Sequence, residues 1–593
     1  MKKQKKYSGW NMDLLPLLGV ILLLPLIVRI HIENTSLGEL PWLPVSMNER
    51  ADFFLYGKSR VLLILAGSMI LFIVDRTVVR GEKAGNMRCL LPLLGYELFT
   101  VLATIFSKTK SFALNGMVEQ YEGLYVLLAY GIIAVYSYLV IRSEKDIDIL
   151  FFSILTAGVI QSIFGIVEIC GKEIMNTPIF KRIILGDKYQ KLSDHLVFNF
   201  MGEAYQRVSG TLYNSNYAGI FFGMVLILAV CMMIKWAGWR RIYAVVVSLL
   251  SLLCLIGSGS KTAVFVIVFI FLILAIKLKV RKQRKQCVCL LIGILGIFIG
   301  YMLYDCLAGV HTIQRIMDSV MPQKDVEKLT DIQVLPDHVT FTWQEQEYFL
   351  SMEKEGNALY PHVSDEEGKE ISLTSDETKQ ICWIKSIGAD ELYFQCYYKG
   401  DVAYLSMTHN GIPWLFTDVT GEYTYVNIWG KSDEIVKAPA VGFKGKEHWF
   451  TSRGYIWSRT IPLLKNNIFV GSGPDTFMLQ FPQEDYVARA AQGYGFFSEI
   501  ITKPHCMYLQ IAVQTGIISL VFFLCLPIGT EIKYRRIKRE KKQGGITYTE
   551  VIGCLISFYL LTGITNDSML VMAPFYWMLL GMFMKRTLPP PIM

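Results

Sequence analysis

The chain reads as an α-helical polytopic membrane protein of about 12 transmembrane helices, with an inserted, mainly-β extracytoplasmic domain. Three observations lead there. Of its 593 residues, 53% are apolar, and they gather in runs of roughly 17–25, each long enough to cross a ~30 Å hydrocarbon layer. Lys and Arg collect in the loops between alternate runs. One long stretch, 307–504, stands apart from the runs, and within it 321–450 turns to an alternating apolar–polar pattern.

The runs fall near 12–31, 60–79, 88–107, 123–142, 148–169, 213–234, 241–258, 262–280, 287–305, 506–529, 550–566 and 568–586. The first follows Lys2, Lys3, Lys5 and Lys6, as a signal peptide would. It is long and lacks a small-residue cleavage site, so a retained helix is expected. Basic loops lie at Arg76–Arg88, Lys235–Arg241, Lys277–Lys285 and Lys533–Lys542. Counted through the spans, each falls on the side of the basic N-terminus. Both termini are therefore expected in the cytoplasm and 307–504 outside a plasma (inner) membrane. The expected organisation is an N-terminal transmembrane region over 1–320, the β insertion over 321–450, an extracytoplasmic helical loop over 451–504 and a C-terminal transmembrane region over 505–593. Loop bias accounts for the formal charge of +8 without any nucleic acid.

Within the insertion, His338–Trp343 alternates, and Leu392–Tyr397 followed by Lys399-Gly400-Asp401 and Val402–Leu405 reads as a hairpin. Tyr423–Trp429 reads as a further strand. Its aromatics suit either a sugar-binding platform or a packed β core, and the packed core is the expectation. Eight of the twelve cysteines sit within apolar runs, where cysteine is a small hydrophobe. Cys382 and Cys396 share the outer segment and are a possible disulfide. No spacing resembles a metal site. Beyond the insertion, Gly454–Leu464 has helical spacing and Asn466-Asn467 ends it.

The residues that can carry chemistry crowd the outer side. Arg207-Val208-Ser209-Gly210-Thr211 leads to Asn214-Ser215-Asn216-Tyr217, where a helix start is expected to leave backbone N–H groups free for an anion. Arg207 can add a bidentate grip on phosphate; a cap with a headgroup-anchoring arginine is the alternative. Lys261, after Ser258-Gly259-Ser260, either snorkels to the interface or meets a diphosphate. His505 is the histidine at a membrane boundary and can take a proton from a hydroxyl nucleophile, although a lone histidine is more often structural. Glu97 and Glu168 are ionisable groups within apolar runs. Arg453 opens Ser452-Arg453-Gly454-Tyr455-Ile456-Trp457, and the Val470-Gly471-Ser472-Gly473-Pro474 turn follows. Cations and a histidine on the outer face suit a phosphate-bearing, lipid-held substrate. There is no P-loop, and no early outer Asp-x-Asp pair of the kind many metal-dependent lipid-phosphosugar transferases carry. A metal-free mechanism without cofactors fits better, with arginines acting on a leaving pyrophosphate.

Taken together these blocks resemble the O-antigen ligase/polymerase superfamily of bacterial membrane glycosyltransferases. Arg207–Gly219 looks like the family's arginine, Gly-Thr, Asn-x-Asn signature. Arg453 with Trp457 and the Gly471–Pro474 turn forms a second block, and Lys503-Pro504-His505-Cys506-Met507-Tyr508-Leu509-Gln510 running to Gln514-Thr515-Gly516 a third. Gln120-Tyr121-Glu122-Gly123 and Ser258–Lys261 are fainter echoes. The likeness spans roughly 90–320 and 451–585 and leaves out the insertion. It implies transfer of a glycan from an undecaprenyl-diphosphate carrier to an acceptor hydroxyl of a growing polysaccharide or surface acceptor, with inversion. By that analogy His505 activates the acceptor, and Arg207 and Arg453 hold the diphosphate. Lys261, Asn214, Asn216, Trp457, Tyr508 and Glu97 are the expected substrate-binding residues. Two positions depart from the family pattern: Cys506 replaces the usual Asn after the histidine, and Lys261 stands where many relatives have Arg. A transporter or flippase for lipid-linked glycan is the alternative, but it would predict two similar halves and midplane helix breaks.

Overall fold

In the computed structural model the described residues are 11–82, 87–199, 207–307, 309, 328–356, 358–419, 421–538 and 546–587. Apolar runs become helices because a helix satisfies every backbone group internally. They are α1 (Met12–Leu26), α2 (Leu55–Val79), α3 (Met87–Phe106), α4 (Leu124–Val140), α5 (Glu144–Ile169), α6 (Ser215–Lys235), α7 (Trp239–Ser258), α8 (Lys261–Val280) and α9 (Arg284–Leu307). Two further helices precede the last membrane block, α10 (Trp449–Leu463) and the short α11 (Met507–Gln514). The last three are α12 (Ile517–Lys538), α13 (Tyr548–Thr562) and α14 (Ala573–Arg586). Among the described residues 8 helices are long and apolar enough to cross a membrane, and α1, α4 and α13 are shorter apolar helices. With a separate β-sheet region, this is the build of a polytopic membrane protein.

The apolar run near 506–529 is not one helix. It breaks at Thr515-Gly516, where Gly516 takes φ +105°, a conformation that glycine adopts without a Cβ penalty. Hydropathy cannot register such a break.

Ion pairs and hydrogen bonds tie the helix ends into two polar layers. At one end Arg142 and Arg76 meet Asp13, and Arg76 also donates to Leu139 O (3.1 Å). Asp148 takes hydrogen bonds from Trp236 and Tyr548, both at 2.7 Å, and pairs with Arg240. Arg281 pairs with Glu550, and Arg586 with Glu144. This basic end joins the start of α1 to the ends of α2, α4, α6, α8 and α14.

The opposite end carries the loops of interest. Fully buried Lys58 of α2 donates to Ile27 O (2.5 Å) and Thr211 O (2.9 Å). The α13–α14 connection donates and accepts around the start of α11, with the Met507 N–H reaching the carbonyls of Gly563 and Asn566 at 2.8 Å.

The insertion is two antiparallel sheets in simple meander order, four strands over Leu329–Asp365 and seven over Leu373–Asp433. Leu392–Lys399 and Val402–His409 pair as a hairpin across Gly400-Asp401. Trp343, Phe394, Trp414, Phe416 and Tyr425 are buried in its core rather than displayed. Leu37, Trp42 and Leu43 from the α1–α2 connection enter the same core, as do Met117, Met478, Tyr486 and Phe497. Asn427 donates to Pro41 O (2.8 Å) and Lys431 to Leu40 O (3.0 Å). The insertion is therefore anchored to the α1–α2 connection. Cys382 and Cys396 are free thiols.

Candidate active site

His505 and Asp567 form the centre. Asp567 lies in the α13–α14 connection, and its Oδ2 is 3.0 Å from His505 Nδ1 while its Oδ1 accepts from the Cys506 N–H at 3.2 Å. The His505 side chain is 42% exposed and that of Asp567 only 3%. The buried carboxylate thus fixes Nδ1 as the donor and turns Nε2 outward, the arrangement in which an imidazole accepts a proton. His505 itself has φ +51°, a region that histidine enters more readily than most residues. The next two residues hold that strain in place, since Cys506 and Met507 are both bonded to the α13–α14 connection.

Cations surround the pair. Burial acts to raise the Asp567 pKa, but His505, Lys503 and Arg453 outweigh it and hold the carboxyl below its ordinary value. Lys503 is 8% exposed, with its ammonium 3.4 Å from Tyr217 Oη near the start of α6. Burial disfavours its charge, yet Tyr217, Asp567, Glu122 and Asp475 hold its proton more tightly than in an ordinary lysine. Arg453 is half-buried. Its Nη1 donates to Phe450 O (3.2 Å), and its buried Nε has no partner among the described residues. Burial lowers its pKa, and Asp567 acts to raise it. That Nε–H is a guanidinium donor left unspent among the described residues.

The Gly471–Asp475 turn holds this arrangement from below. The Ser472 and Gly473 N–H groups donate to Val513 O (3.0 Å) and Gln514 O (2.9 Å), closing the C-terminus of α11. A Cβ on Gly471 would stand 2.3 Å from the Gln514 backbone, so only glycine fits. Asp475, fully buried, accepts from Met117 N (3.1 Å) and Glu122 N (2.7 Å). The second and third sequence blocks and the Glu122 echo are thereby one packed unit. Trp457 stands beside it, its Nε1 donating to Pro504 O at 2.9 Å.

The Arg207 block departs from expectation in one respect. Its backbone N–H groups are not free: Glu168 accepts from Ser209 N (2.9 Å) and Gly210 N (2.8 Å), and Gln161 from Thr211 N (3.3 Å). Asn214 is the N-cap of α6, accepting from Tyr217 N at 2.9 Å. Arg207 and Asn216 are exposed. Lys261 is half-buried at the first turn of α8, and its neighbour Thr262 meets Thr565 (2.9 Å), two residues from Asp567. Tyr508 gives its hydroxyl to Leu560 O (2.6 Å). Glu97 lies in α3 against Gly131 of α4, and its carboxylate oxygens have no hydrogen-bond partner among the described residues.

Residues 403–524 match a family model described as O-antigen ligase. Over that region the chain is similar to the O-antigen ligase family. The matched segment contains Arg453, Trp457, the Gly471 turn, Lys503 and His505, and it takes in the last strands of the insertion. Arg207, Lys261 and Asp567 lie outside it. No curated protein and no solved structure matches the chain.

Asp567 is the candidate-site residue that the sequence alone did not single out. Its one signal is an acid, in Asn566-Asp567-Ser568, at the polar gap between the last two apolar runs. Glu122 and Asp475 were likewise hidden, the first within a faint motif and the second just after a turn. Among the described residues no group of three or more His, Cys, Asp or Glu side chains is placed to hold a metal ion.

Proposed function

We propose that the protein is a membrane glycosyltransferase that moves a glycan from an undecaprenyl-diphosphate carrier to an acceptor hydroxyl on the outer face. The observation that carries the reading is the His505–Asp567 pair, with outward-facing Nε2, beside an arginine donor in an O-antigen ligase-type region. Its position at the end opposite the basic loops supports an outer active face in a twelve-span topology with cytoplasmic termini.

In this reading the acceptor oxygen attacks the anomeric carbon as the bond from that carbon to the diphosphate oxygen breaks. The hydroxyl proton passes to His505 Nε2, and Asp567 stabilises the imidazolium. The electron pair of the broken bond leaves on the lipid diphosphate, where Arg453 and Arg207 offset the growing charge. In-line displacement inverts the anomeric centre. The cations the reaction needs are the chain's own, so the reading requires no metal. Lys261, Asn216 and Trp457 serve as substrate contacts around the same mouth.

The test is turnover of an undecaprenyl-diphosphate-linked glycan by the purified protein in EDTA, comparing wild type, His505→Ala and Arg453→Ala. Glycan extension or transfer with release of lipid diphosphate, lost in both variants, is expected. Transfer that survives His505→Ala overturns the base assignment. Movement of labelled lipid across proteoliposomes without transfer overturns the enzyme reading in favour of a transporter.

A further inference from the structure

The aromatic side chains gathered at Trp457 belong to no core. Phe443 and Phe450 pack on the Trp457 ring, with centroids 5.7 and 5.6 Å away, and Trp449 meets Phe450 edge-on at 6.3 Å. None of the four enters a buried apolar cluster of the described residues. Phe450 is 51% exposed, and Phe443, Trp449 and Trp457 are half-buried. The group is therefore an open aromatic wall. Lys446 covers the Trp449 ring at 4.6 Å, which leaves Phe443, Phe450 and Trp457 to form its face.

The wall is built on strained backbone. Phe443 and Phe450 both take φ +55°, and Thr451 and Ser452 follow at +62° and +59°. Residues other than glycine rarely adopt this left-handed region, and strain of this kind gathers at ligand clamps. The loop is strapped to α10, with the Val441 N–H donating to Ser458 O (2.9 Å) and the Tyr455 N–H to Glu447 O (2.8 Å). A Cβ on Gly454 would stand 2.5 Å from Lys446 O, so glycine is what lets the loop lie this close. Two of its rings are tied to the machinery of the proposed reaction. Phe450 O accepts from Arg453 Nη1, and Trp457 Nε1 donates to the carbonyl of Pro504, the residue before His505. Trp457 also follows Arg453 by four residues, on the same face of α10.

From Phe443 to Gly454 the chain has no aliphatic side chain; Lys444, Lys446, Glu447, His448, Thr451 and Ser452 stand among the rings. Rings set among polar groups match a pyranose, which presents a face of C–H bonds bordered by hydroxyls. We infer that Phe443, Phe450 and Trp457 form a subsite for the donor's first sugar, the ring bonded to the diphosphate. That ring carries the carbon under attack, so it lies between the arginine that holds the diphosphate and the base, the two residues to which the wall is tied. The inference rests on the proposed transfer reaction for those two roles. An interfacial anchor also uses aromatic residues, but it works in any orientation within the headgroup layer and gains nothing from a run of left-handed residues.

The experiment measures binding to the full-length protein in detergent, by thermophoresis. The probes are bare undecaprenyl diphosphate and the same carrier bearing glucose, galactose, N-acetylglucosamine or N-acetylgalactosamine. Wild type is compared with Phe450→Asn, Phe450→Tyr and Phe443→Leu. Asparagine suits the left-handed backbone at 450 while removing the ring, so Phe450→Asn should keep the wild-type melting curve. Wild type should bind at least one sugar-bearing carrier about tenfold more tightly than the bare one. Phe450→Tyr should keep that preference, whereas Phe450→Asn and Phe443→Leu should lose most of it at unchanged affinity for the bare carrier. Absence of any preference in wild type overturns the subsite. So does equal weakening of every probe in Phe450→Asn, which would make the aromatics a lipid anchor. Should Phe450→Asn not fold, Phe443→Leu decides the matter. Preference without turnover would sink the proposed reaction and leave the subsite standing; turnover without preference would sink the subsite alone.

Discussion

Replacing Asp567 by Asn removes a charge and almost no volume, which isolates its electrostatic part. The carboxylate accepts two hydrogen bonds, from His505 Nδ1 at 3.0 Å and the Cys506 N–H at 3.2 Å. An Asn amide can keep one oxygen acceptor, and it can satisfy Nδ1 by donating to it. Donation would place the ring proton on Nε2, the position that must receive the acceptor's proton. The imidazolium formed in the transition state would also lose its buried counter-charge. A hydrogen bond to a charged group is worth about 1.5–3 kcal/mol. Losing that bond and the right tautomer together amounts to about 3–4 kcal/mol, or roughly 100- to 1000-fold in kcat. The Asn side chain keeps the packing of the α13–α14 connection, so Tm should move little and KM for the lipid-linked donor should stay within about threefold. Steady-state transfer assays with a melting curve on the same preparation measure all three. Activity within about threefold of wild type, at unchanged Tm, would refute the dyad.

Three other perturbations have definite outcomes. Glu168→Ala leaves the N–H groups of Ser209 and Gly210 buried without their acceptor; at about 1–3 kcal/mol each, Tm should fall by several degrees, and donor KM should rise as the Arg207 loop loosens. Gly471→Ala drives a Cβ to 2.3 Å from the Gln514 backbone, so the folded yield should collapse in size-exclusion chromatography, whereas Gly495→Ala, with open space around it, should not change it. Burial pushes Glu122 up to about 7 and Asp475 up to about 6, so each holds its proton more tightly folded than unfolded. Their contribution to stability therefore falls as pH rises from the unfolded values near 4 through these folded values. Tm should decline from pH 5 to pH 7.5, and less steeply in Glu122→Gln; equal slopes in the two proteins would count against the assignment.

The sequence made the helices legible because each satisfies its backbone locally and shows its length in hydropathy alone. It also showed the alternation of the insertion and the cation-rich blocks. The features that stayed hidden depend on contacts between distant positions. The break at Thr515-Gly516 is held by N–H groups of the Gly471 turn, about forty residues upstream, and hydropathy runs straight through it. The amides of the Arg207 block looked available for an anion because nothing nearby claims them, but Glu168 and Gln161 reach them from α5. Asp567 is 62 positions from His505, in a gap short enough to pass for a turn. In each case the residue types were visible and the partner was not.

The same distinction settles the role of the unusual Cys506. Read as a sequence, a cysteine in place of the usual asparagine casts doubt on how the acceptor is held. The dyad, however, uses position 506 through its backbone N–H, which donates to Asp567 Oδ1, and its side chain is buried. Any residue except proline supplies that N–H. The left-handed turn at His505 aims the N–H groups of both Cys506 and Met507 at the α13–α14 connection, so the geometry of the proposed base is written in the main chain on one side and in Asp567 on the other. The cysteine therefore alters packing next to the pair, where a small apolar group suits a buried position, and leaves the hydrogen bonds that define the pair intact. Placing the function on His505 consequently depends less on the identity of its neighbour than on the loop between α13 and α14.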